Sequence, residues 1–572
     1  MKKSIILFIV LLLCFNLCAQ SIIWGESIGG HTSDMPIDLD KTSNGVLLTT
    51  TTNNRIKGLH KYDSEGNLVW QFDLFESLPK GEYSDYEFIE SEVDENDNIY
   101  VILNFNESTT EIGDITINYG VSLLKISSEG NVLWSQKIAD QISVTDMSLM
   151  YSNGNVYLLG NFLKTANIND KITLTSKQYW DCYSRIYRYG MDYYLAKFDI
   201  EGNLSKVVSF GSEYHDYVAS ATIDENSNIY FTGGSEFHTC TTRYTHITKY
   251  NSDLELQWEK VISKEENNSQ LIYPSNIYYS KLSNKLYLWG YNLLGVIHDE
   301  YQIPASPCSS YSSGVGAGAN LMEFTVNEGK FIKYRHFANC TSNSVWQVGG
   351  TYERITTNKA GIVEVEDSLI ILSSIHGSME FDNGQFESTY VISQYNEKIW
   401  DENLFLMKVN KENFNSEFIE KFYGDRVYEN GPSIDNPFKI ILEDNNIYLS
   451  AFFECSPINV FDTTIVNNSG NNDSDILISK INLSNTLSIN ENVTLSKFKI
   501  YPNPAKHNVI ITNPNDFIKY VKVYSITGSL VQTNIANSND ININISDLSN
   551  GLYFFNIKTN NGTSTKKVLI NR

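Results

Sequence analysis

The chain has 572 residues with 43 Lys and Arg against 67 Asp and Glu, so its formal net charge is −24. The charge is uneven: residues 498–572 hold eight Lys and Arg against three Asp and Glu, residues 1–20 hold two Lys, and the rest carries −31. This field excludes a nucleic-acid-binding role, because such proteins present basic faces. It suits a soluble exported protein and is compatible with cations or with neutral ligands such as glycans.

The first twenty residues have the pattern of a secretory signal peptide. Lys2 and Lys3 precede a nine-residue apolar run, Ile5–Leu13, and Ala19 stands just before Gln20. The run is too short to cross a bilayer, which takes ~20 apolar residues. We therefore expect signal peptidase to remove residues 1–19.

Three strand patterns recur in a fixed order along the body of the chain. The first is a polar turn followed by Asn-Ile-Tyr or a similar run, the second resembles Leu-x-Lys-x-Asp, and the third resembles Gly-Asn-Leu-Val-Trp. The first occurs at residues 42–47, 94–100, 153–157, 224–230, 283–287, 366–370 and 443–448. The second occurs at residues 59–63, 123–126, 195–199, 247–250, 321–324, 406–409 and 478–481. The third is clearest at residues 66–70, 130–134, 202–204 and 254–258.

These patterns predict an all-β domain built from seven equivalent units. Apolar and polar residues alternate as in strands, and the Gly, Asn and Asp between the runs favour hairpin turns. One four-stranded unit has no core of its own, whereas units packed radially bury one another's faces. We therefore predict a seven-bladed β-propeller over residues 20–489. The Trp strand at Ser21–Glu26 lacks a preceding Leu-x-Lys strand, so we expect it to complete the last blade.

The repeat resembles the SBBP-type β-propeller repeat of secreted bacterial proteins. That repeat places a Trp strand, Gly-Gly and Asp before Asp-x-x-x-Asn-Ile-Tyr, Gly and Leu-x-Lys-x-Asp-x-x-Gly. The residues that carry the resemblance are Trp24, Gly29, Gly30, Asp34 and Asp40, and then Gly211, Asp216, Asp224, Tyr230 and Gly233. The fifth and sixth units depart from the pattern, with Glu323 in place of the Lys. The resemblance implies a β-propeller fold for about residues 21–490 and indicates almost nothing about activity.

A second domain is predicted after a polar linker at residues 490–497. Short strand patterns follow at residues 509–512, 520–524, 529–532, 541–545, 552–558 and 565–570. Turn signals such as Asn560-Asn-Gly562 separate them. Six or seven strands in so short a segment, without a helical pattern, predict a small Ig-like β-sandwich at residues 498–572.

This domain resembles the type A C-terminal sorting domain of the Bacteroidetes type IX secretion system. The matching motifs are Tyr501-Pro-Asn-Pro-Ala505, Val523-Tyr-Ser-Ile-Thr-Gly528, Leu548-Ser-Asn-Gly-Leu-Tyr553 and Lys566-Lys-Val-Leu-Ile570. The predicted sorting residues are Tyr501, Pro502, Asn503, Pro504, Gly528, Gly551, Tyr553, Lys566 and Lys567. The resemblance implies passage through the outer-membrane translocon and removal of the domain by a sorting protease at the linker. The protein would then be released or attached to a surface glycolipid, at an extracellular or outer-membrane surface location.

The segment Tyr179–Tyr194 combines many aromatic residues with Arg, and such residues are frequent anchors in binding interfaces. The candidate ligand-binding residues are Tyr179, Trp180, Tyr183, Arg185, Tyr187 and Arg188. A self-packed loop is the alternative. A β-hairpin extension is equally compatible, because Tyr183, Tyr187 and Tyr189 alternate with Ser, Ile and Arg.

The remaining polar residues give no metal or cofactor site. The acidic segments at residues 94–98, 224–228 and 443–446 are shorter than calcium loops such as the twelve-residue EF-hand loop, and we interpret them as hairpin turns. Five Cys remain after the signal peptide, namely Cys182, Cys240, Cys308, Cys340 and Cys455. Export permits disulfides, with Cys182–Cys240 and Cys308–Cys340 as candidate pairs and at least one thiol left over.

No catalytic residue is predicted from motifs. Gly-x-Ser-x-Gly and His-Glu-x-x-His are absent, and His215 and His238 have no partners at catalytic spacing. We hypothesise a non-enzymatic binding or scaffold protein with a glycan or protein ligand. The alternative is a glycan-active lyase or hydrolase, with paired carboxylates or a Tyr/His pair at one mouth of the ring. A quinoprotein-like oxidoreductase is a weaker alternative, because residues 63–70 resemble the Asp-x-x-Thr-Gly-x-x-x-Trp repeat but lack its Thr.

Overall fold

The computed structural model describes most of the chain between residues 21 and 572. The described ranges are 21–29, 34–52, 58–72, 86–105, 110–112, 114–139, 143–181, 184–236, 244–264, 272–292, 296–298, 300–303, 318–338, 361–376, 378–387, 390–392, 398–400, 402–424, 436–454, 457–461, 463–468, 474–483, 499–512, 517–525, 530–559 and 563–572. The predicted signal peptide, the linker and all the Cys residues lie outside them. Every regular element in these ranges is a β-strand, so the protein is all-β, as predicted. No helix of membrane-spanning length and hydrophobicity is found in the same ranges.

The chain divides into two compact units, Met1–Phe381 with Gln385–Ser484 and Asn485–Arg572 with Asp382–Gly384. In the described part of the first unit, seven antiparallel sheets share one plan of four strands. Sheet 1 contains β2 (Asp34–Thr42), β3 (Gly45–Thr52), β4 (Gly58–Tyr62) and β5 (Leu68–Phe72). Sheet 2 contains β6 (Tyr86–Val93), β7 (Ile99–Phe105), β10 (Gly120–Ile126) and β11 (Val132–Ala139). Sheet 3 contains β12 (Ser143–Ser152), β13 (Asn155–Leu163), β18 (Met191–Asp199) and β19 (Leu204–Phe210).

The next four sheets follow the same order. Sheet 4 contains β20 (His215–Ile223), β21 (Ile229–Glu236), β22 (Tyr244–Tyr250) and β23 (Leu256–Lys264). Sheet 5 contains β24 (Tyr273–Ser280), β25 (Lys285–Asn292), β28 (Gly318–Thr325) and β29 (Phe331–Ala338). Sheet 6 contains β30 (Gly361–Val365), β31 (Ser368–His376), β36 (Glu402–Asn410) and β37 (Ser416–Gly424). Sheet 7 contains β38 (Asn436–Glu443), β39 (Asn446–Phe453), β42 (Asp475–Asn482) and, as its fourth strand, β1 (Ser21–Ile28).

Short hairpins extend from the connections within or after these sheets. They are β8 (Thr110–Ile112) with β9 (Ile115–Ile117), β14 (Thr165–Ile168) with β15 (Ile172–Thr175), β16 (Gln178–Asp181) with β17 (Ile186–Tyr189), β26 (Val296–His298) with β27 (Tyr301–Ile303), β32 (Ser378–Phe381) with β33 (Gly384–Glu387), β34 (Tyr390–Ile392) with β35 (Lys398–Trp400), and β40 (Ile458–Val460) with β41 (Thr463–Ile465). The last of them also pairs with β37.

The seven sheets contact one another in sequence through their first strands. These strands meet in the order β2, β6, β12, β20, β24, β30 and β38, and β38 in turn contacts β2. The N-terminal Trp strand pairs with β42, so that Trp24 lies opposite Lys480, as the sequence pattern predicts. The core lies between adjacent sheets, where apolar residues of one second or third strand pack against those of the next sheet.

The recurring Trp and Gly residues meet at the junctions between sheets. The Trp of one fourth strand packs on the turn Gly of the following sheet, in the pairs Trp24 with Gly66, Trp70 with Gly130, Trp134 with Gly202 and Trp258 with Gly329. Each of these Gly residues has a positive φ, and an added Cβ would lie between 2.6 and 3.2 Å from the ring. Trp24 Nε1 also donates to the carbonyl of Ser64, at 3.2 Å. The Gly of this repeat is therefore needed both for its backbone conformation and for the space that the Trp occupies.

The Lys of the second pattern links the sheets in the same direction. Its ammonium donates to a turn carbonyl of the following sheet, as with Lys197 to Ser252 at 3.1 Å and Lys480 to Ser64 at 3.2 Å. The same ammonium lies over the Tyr ring of the first pattern, 4.7 Å from the ring centroid for Lys480 and Tyr448. These contacts explain why Leu-x-Lys and Asn-Ile-Tyr recur together.

The acidic segments form turns, as we interpret them from the sequence. Asp94 Oδ1 accepts hydrogen bonds from the backbone of Asn96 and Asn98, at 2.9 and 2.8 Å. Asp224 does the same for Asn226 and Asn228. The carboxylates thus cap their own turns.

The described part of the second unit consists of two sheets. One contains β43 (Lys499–Tyr501), β44 (Asn508–Thr512) and β47 (Asp540–Asn544). The other has the order β46 (Leu530–Ser538), β45 (Ile518–Ser525), β48 (Gly551–Thr559) and β49 (Thr563–Ile570). Residues of both sheets, among them Val509 and Phe555, share one buried core, which is the arrangement of a β-sandwich.

Candidate functional site

The aromatic segment forms the hairpin β16–β17, which extends from the connection between the second and third strands of sheet 3. Asp181, at the end of β16, holds the turn together. Its carboxylate accepts hydrogen bonds from the Ser184 backbone at 3.1 Å and hydroxyl at 2.7 Å, and it forms an ion pair with Arg188 Nε at 2.7 Å. Arg185 closes the turn with a positive φ of 54°. The structure therefore resolves the alternatives in favour of a hairpin.

A cleft of about 630 Å³ lies beside this hairpin and reaches sheet 4. Its lining residues are Leu163, Lys164, Tyr179, Asp181, Ile186, Tyr187, Arg188, Tyr189 and His215. Tyr179 is buried at its base, and the Tyr179 hydroxyl lies 3.4 Å from His215 Nε2. The two rings meet edge to face, with their centroids 5.6 Å apart. The cleft thus combines a Tyr/His pair with cationic side chains on its walls.

Burial raises the pKa of Tyr179 above its ordinary value, and the nearby Asp181 carboxylate raises it further, while Arg188 lowers it. Tyr179 is therefore protonated at neutral pH. In this state its hydroxyl is able to donate a hydrogen bond to a bound oxygen or to the imidazole.

The outer face of the hairpin presents two exposed aromatic rings. Trp180 and Tyr187 lie opposite each other across the strand pair and are 51% and 68% exposed. Their ring centroids are 5.1 Å apart in an edge-to-face arrangement. Tyr187 also lines the cleft, so it joins this aromatic surface to the cleft.

The structure describes five of the six predicted ligand-binding residues, and they lie in three places. Tyr179, Tyr187 and Arg188 line the cleft, whereas Trp180 lies on the outer face and Arg185 in the turn. Tyr183 lies outside the described residues. Lys164 and His215 also line the cleft, and neither is among the site residues predicted from the sequence. His215 directly precedes the repeat residue Asp216, but nothing in the sequence places it against Tyr179.

A second polar cluster lies on the first strands of sheets 7, 1 and 2. The Lys439 ammonium donates to Asp38 at 2.6 Å and to Asp40 at 3.1 Å. Ser91 donates to Asp40 at 2.6 Å. Burial, with a contribution from the Asp38 charge, raises the pKa of Asp40 to about 6. These contacts link three sheets and occupy both aspartates.

The second unit fixes its Tyr-Pro-Asn-Pro segment against its last strand. Asn503 donates through Nδ2 to the carbonyl of Lys567 at 3.0 Å and accepts from the backbone of Leu569 at 2.8 Å. Ala505 is buried and donates to the carbonyl of Leu569 at 2.7 Å. Gly551 and Tyr553 lie on β48, with Tyr553 packed against the core, and Lys566 and Lys567 lie on β49. Tyr501 is on β43 and exposed, and Gly528 lies outside the described residues.

Comparison with protein families identifies this unit. Residues 499–571 match the secretion system C-terminal sorting domain. The sorting domain indicates export to the cell surface or the extracellular space, and it implies interaction with the type IX secretion machinery. No curated protein matches the chain.

Solved structures similar to this chain have low sequence identity. A protein of unknown function from Dyadobacter fermentans is 9% identical over 81% of this chain and 99% of its own, with a TM-score of 0.33. The polysaccharide lyase Uly1 is 10% identical over 81% of this chain and 92% of its own, with a TM-score of 0.40. PorZ, a surface component of the Porphyromonas gingivalis type IX secretion system, is 9% identical over 96% and 100%, with a TM-score of 0.13. Similarities of this size carry no function over to this chain.

Proposed function

We propose that this protein is an exported, non-enzymatic binding protein, whose seven-bladed β-propeller presents a saccharide site at the β16–β17 hairpin. The blade count is supported by the seven four-stranded sheets of the described residues and by the contacts that run from β2 round to β38 and back. The pairing of β1 with β42 closes such a ring with both ends of the domain. The Trp-on-Gly contacts between successive sheets support the resemblance to the SBBP-type repeat.

The ligand proposal depends on one observation, the exposed pair of Trp180 and Tyr187 beside the cleft. Large aromatic side chains normally bury their rings, so an exposed pair held by strand pairing supports a binding surface at this hairpin. Flat rings match the apolar faces of sugar rings, and the cleft supplies polar groups that fix a ligand's orientation. A protein ligand is the other occupant compatible with this surface.

A glycan array tests the proposal. We expect the mature first unit to bind a subset of the arrayed saccharides. The double variant Trp180→Ala with Tyr187→Ala is expected to bind them at least tenfold more weakly, because aromatic anchors dominate such interfaces. Tyr119→Ala is the matched control, since Tyr119 is 45% exposed but lies between β9 and β10, outside the hairpin. An equal loss of saccharide affinity in Tyr119→Ala would contradict the proposal. Binding of a protein ligand without binding of any saccharide would also contradict it.

A second candidate is a glycan lyase, favoured by the contact between Tyr179 and His215. A protonated Tyr is suited to donate a proton to a leaving oxygen, and a neutral imidazole to accept one. Incubation with a polyuronate and measurement of ultraviolet absorbance from unsaturated products tests it. A rate in the wild type that Tyr179→Phe abolishes would favour the lyase over the binding protein.

The proposed function includes two cleavages, one after the signal peptide and one before the sorting domain. Signal peptidase would remove residues 1–19, and a sorting protease would cut in the segment 490–497, because polar segments between domains are frequent sites of proteolysis. The mature protein would then be released or attached to a surface glycolipid. N-terminal and C-terminal sequencing of the exported form checks both cuts.

A further inference from the structure

The hairpin region has a charge opposite to that of the whole protein. Residues 164–190 contain five Lys and Arg against two Asp, a net charge of +3 within a chain of net charge −24. Three of these cations, Lys164, Arg185 and Arg188, are exposed and lie beside the cleft or in the hairpin turn. A basic island on an acidic protein directs anions toward it.

Lys164 is held at the edge of the cleft by its backbone. Its φ is +66°, a conformation that side-chain-bearing residues rarely adopt. Its backbone N–H donates to Ser176 Oγ at 2.9 Å, and its carbonyl accepts from the Ser176 N–H, also at 2.9 Å. Among the described residues Lys164 forms no ion pair, and its ammonium lies 5.9 Å from the centroid of the Tyr189 ring. An exposed, backbone-fixed ammonium without a carboxylate partner is available to a ligand.

Arg188 presents the second cation of the cleft. Asp181 engages its Nε, and within the described part of the chain the outer end of the guanidinium makes only a 3.4 Å contact with the Ser184 hydroxyl. Half of the side chain remains exposed. The ion pair therefore fixes the guanidinium in orientation while its outer N–H groups stay free for a planar anion such as a carboxylate.

We infer that the ligand of this cleft is an acidic saccharide, whose carboxylate or sulfate groups are bound by Lys164 and Arg188 while its sugar rings lie on Trp180 and Tyr187. This inference rests on the proposed function. It differs from the expectation drawn from net charge, which is compatible with cations or with neutral ligands such as glycans, because the local charge of the hairpin is opposite to that of the whole chain.

Binding of three matched oligosaccharides tests the inference. The probes are an oligogalacturonate, the same oligosaccharide as its neutral methyl ester, and a sulfated oligosaccharide of similar length. We expect at least one of the two acidic probes to bind the mature first unit roughly tenfold or more tightly than the ester, with affinity that falls as salt rises. We expect Lys164→Gln to weaken that binding by roughly tenfold, because a charge-assisted contact is lost.

Lys171→Gln is the matched control, since it removes the same charge from the exposed turn between β14 and β15 and is expected to leave affinity within about twofold. Equal binding of the ester and the acidic probes, still lost in Trp180→Ala, would overturn the acidic ligand and retain the saccharide site. Equal weakening by Lys171→Gln would also overturn it, since general attraction would then explain the binding. No saccharide binding at all would overturn the proposed function itself.

Discussion

Replacing Trp24 by Ala tests how the two ends of the propeller domain are joined. Trp24 stacks on Tyr62 with 6.3 Å between ring centroids, contacts Tyr448 at 6.0 Å and packs on the Gly66 turn. A fully buried Trp costs ~3–5 kcal/mol when truncated to Ala. Because Trp24 is only partly buried, we expect about 2–3 kcal/mol, including ~1 kcal/mol for its hydrogen bond to Ser64. The loss falls on one strand, β1, whose pairing with β42 joins the chain ends.

Hydrogen–deuterium exchange of β1 and β42 measures this directly, since local opening is faster by tenfold for each ~1.4 kcal/mol lost. We expect the amides of Ser21–Ile28 in Trp24→Ala to exchange roughly 30- to 140-fold faster than in the wild type, with the middle sheets unchanged. Ile23→Ala is the control, because Ile23 is on the same strand and 48% exposed. If both variants accelerate exchange equally, Trp24 does not hold the junction and the reasoning is refuted.

Three further predictions concern the repeat, pH and export. We expect Gly202→Ala to lower the melting temperature more than Gly154→Ala. Both residues have a positive φ, but only at Gly202 would the added Cβ meet a Trp ring, that of Trp134 at 2.9 Å. Equal changes in melting temperature would contradict this expectation. Burial lowers the pKa of His246 from 6.5 to about 4, so between these values the unfolded state binds the extra proton and stability decreases as the pH is lowered. Between pH 7 and pH 4, we expect the free energy of unfolding of His246→Asn to decrease by up to about 3 kcal/mol less than that of the wild type, measured by chemical unfolding. An unchanged pH dependence of the unfolding free energy would contradict this expectation. Deletion of Phe498–Arg572 is expected to retain the protein in the periplasm, measured by cell fractionation, and secretion of the truncated chain would exclude a sorting role.

The repeat could be predicted because each of its residues acts in the same way in several sheets. Trp70 and Gly130 recur at fixed spacing since the Trp of one sheet needs the Gly of the next, and Lys197 recurs with Tyr157 since its ammonium lies over that ring. The turn at Asp94 follows from its own local hydrogen bonds. Such features are local or periodic, so they can be predicted from the sequence alone.

The cleft could be predicted only in part. The aromatic residues of the hairpin stand out in composition, but the contact of Tyr179 with His215 joins two sheets and depends on how they pack. Lys164 carries no sequence signal, because its positive φ and its bonds to Ser176 are set by the connection between β13 and β14. Trp180 and Tyr179 are adjacent in sequence but lie on opposite faces of β16, so one reaches the solvent and the other the base of the cleft.

The proposed function requires that a saccharide binds at the β16–β17 hairpin of this exported protein. Hydrogen–deuterium exchange of the mature first unit with and without a bound acidic oligosaccharide tests it most directly. We expect slower exchange confined to Gln178–Tyr189 and to Leu163 and Lys164, which also line the cleft. Protection on other sheets with none at the hairpin would contradict it.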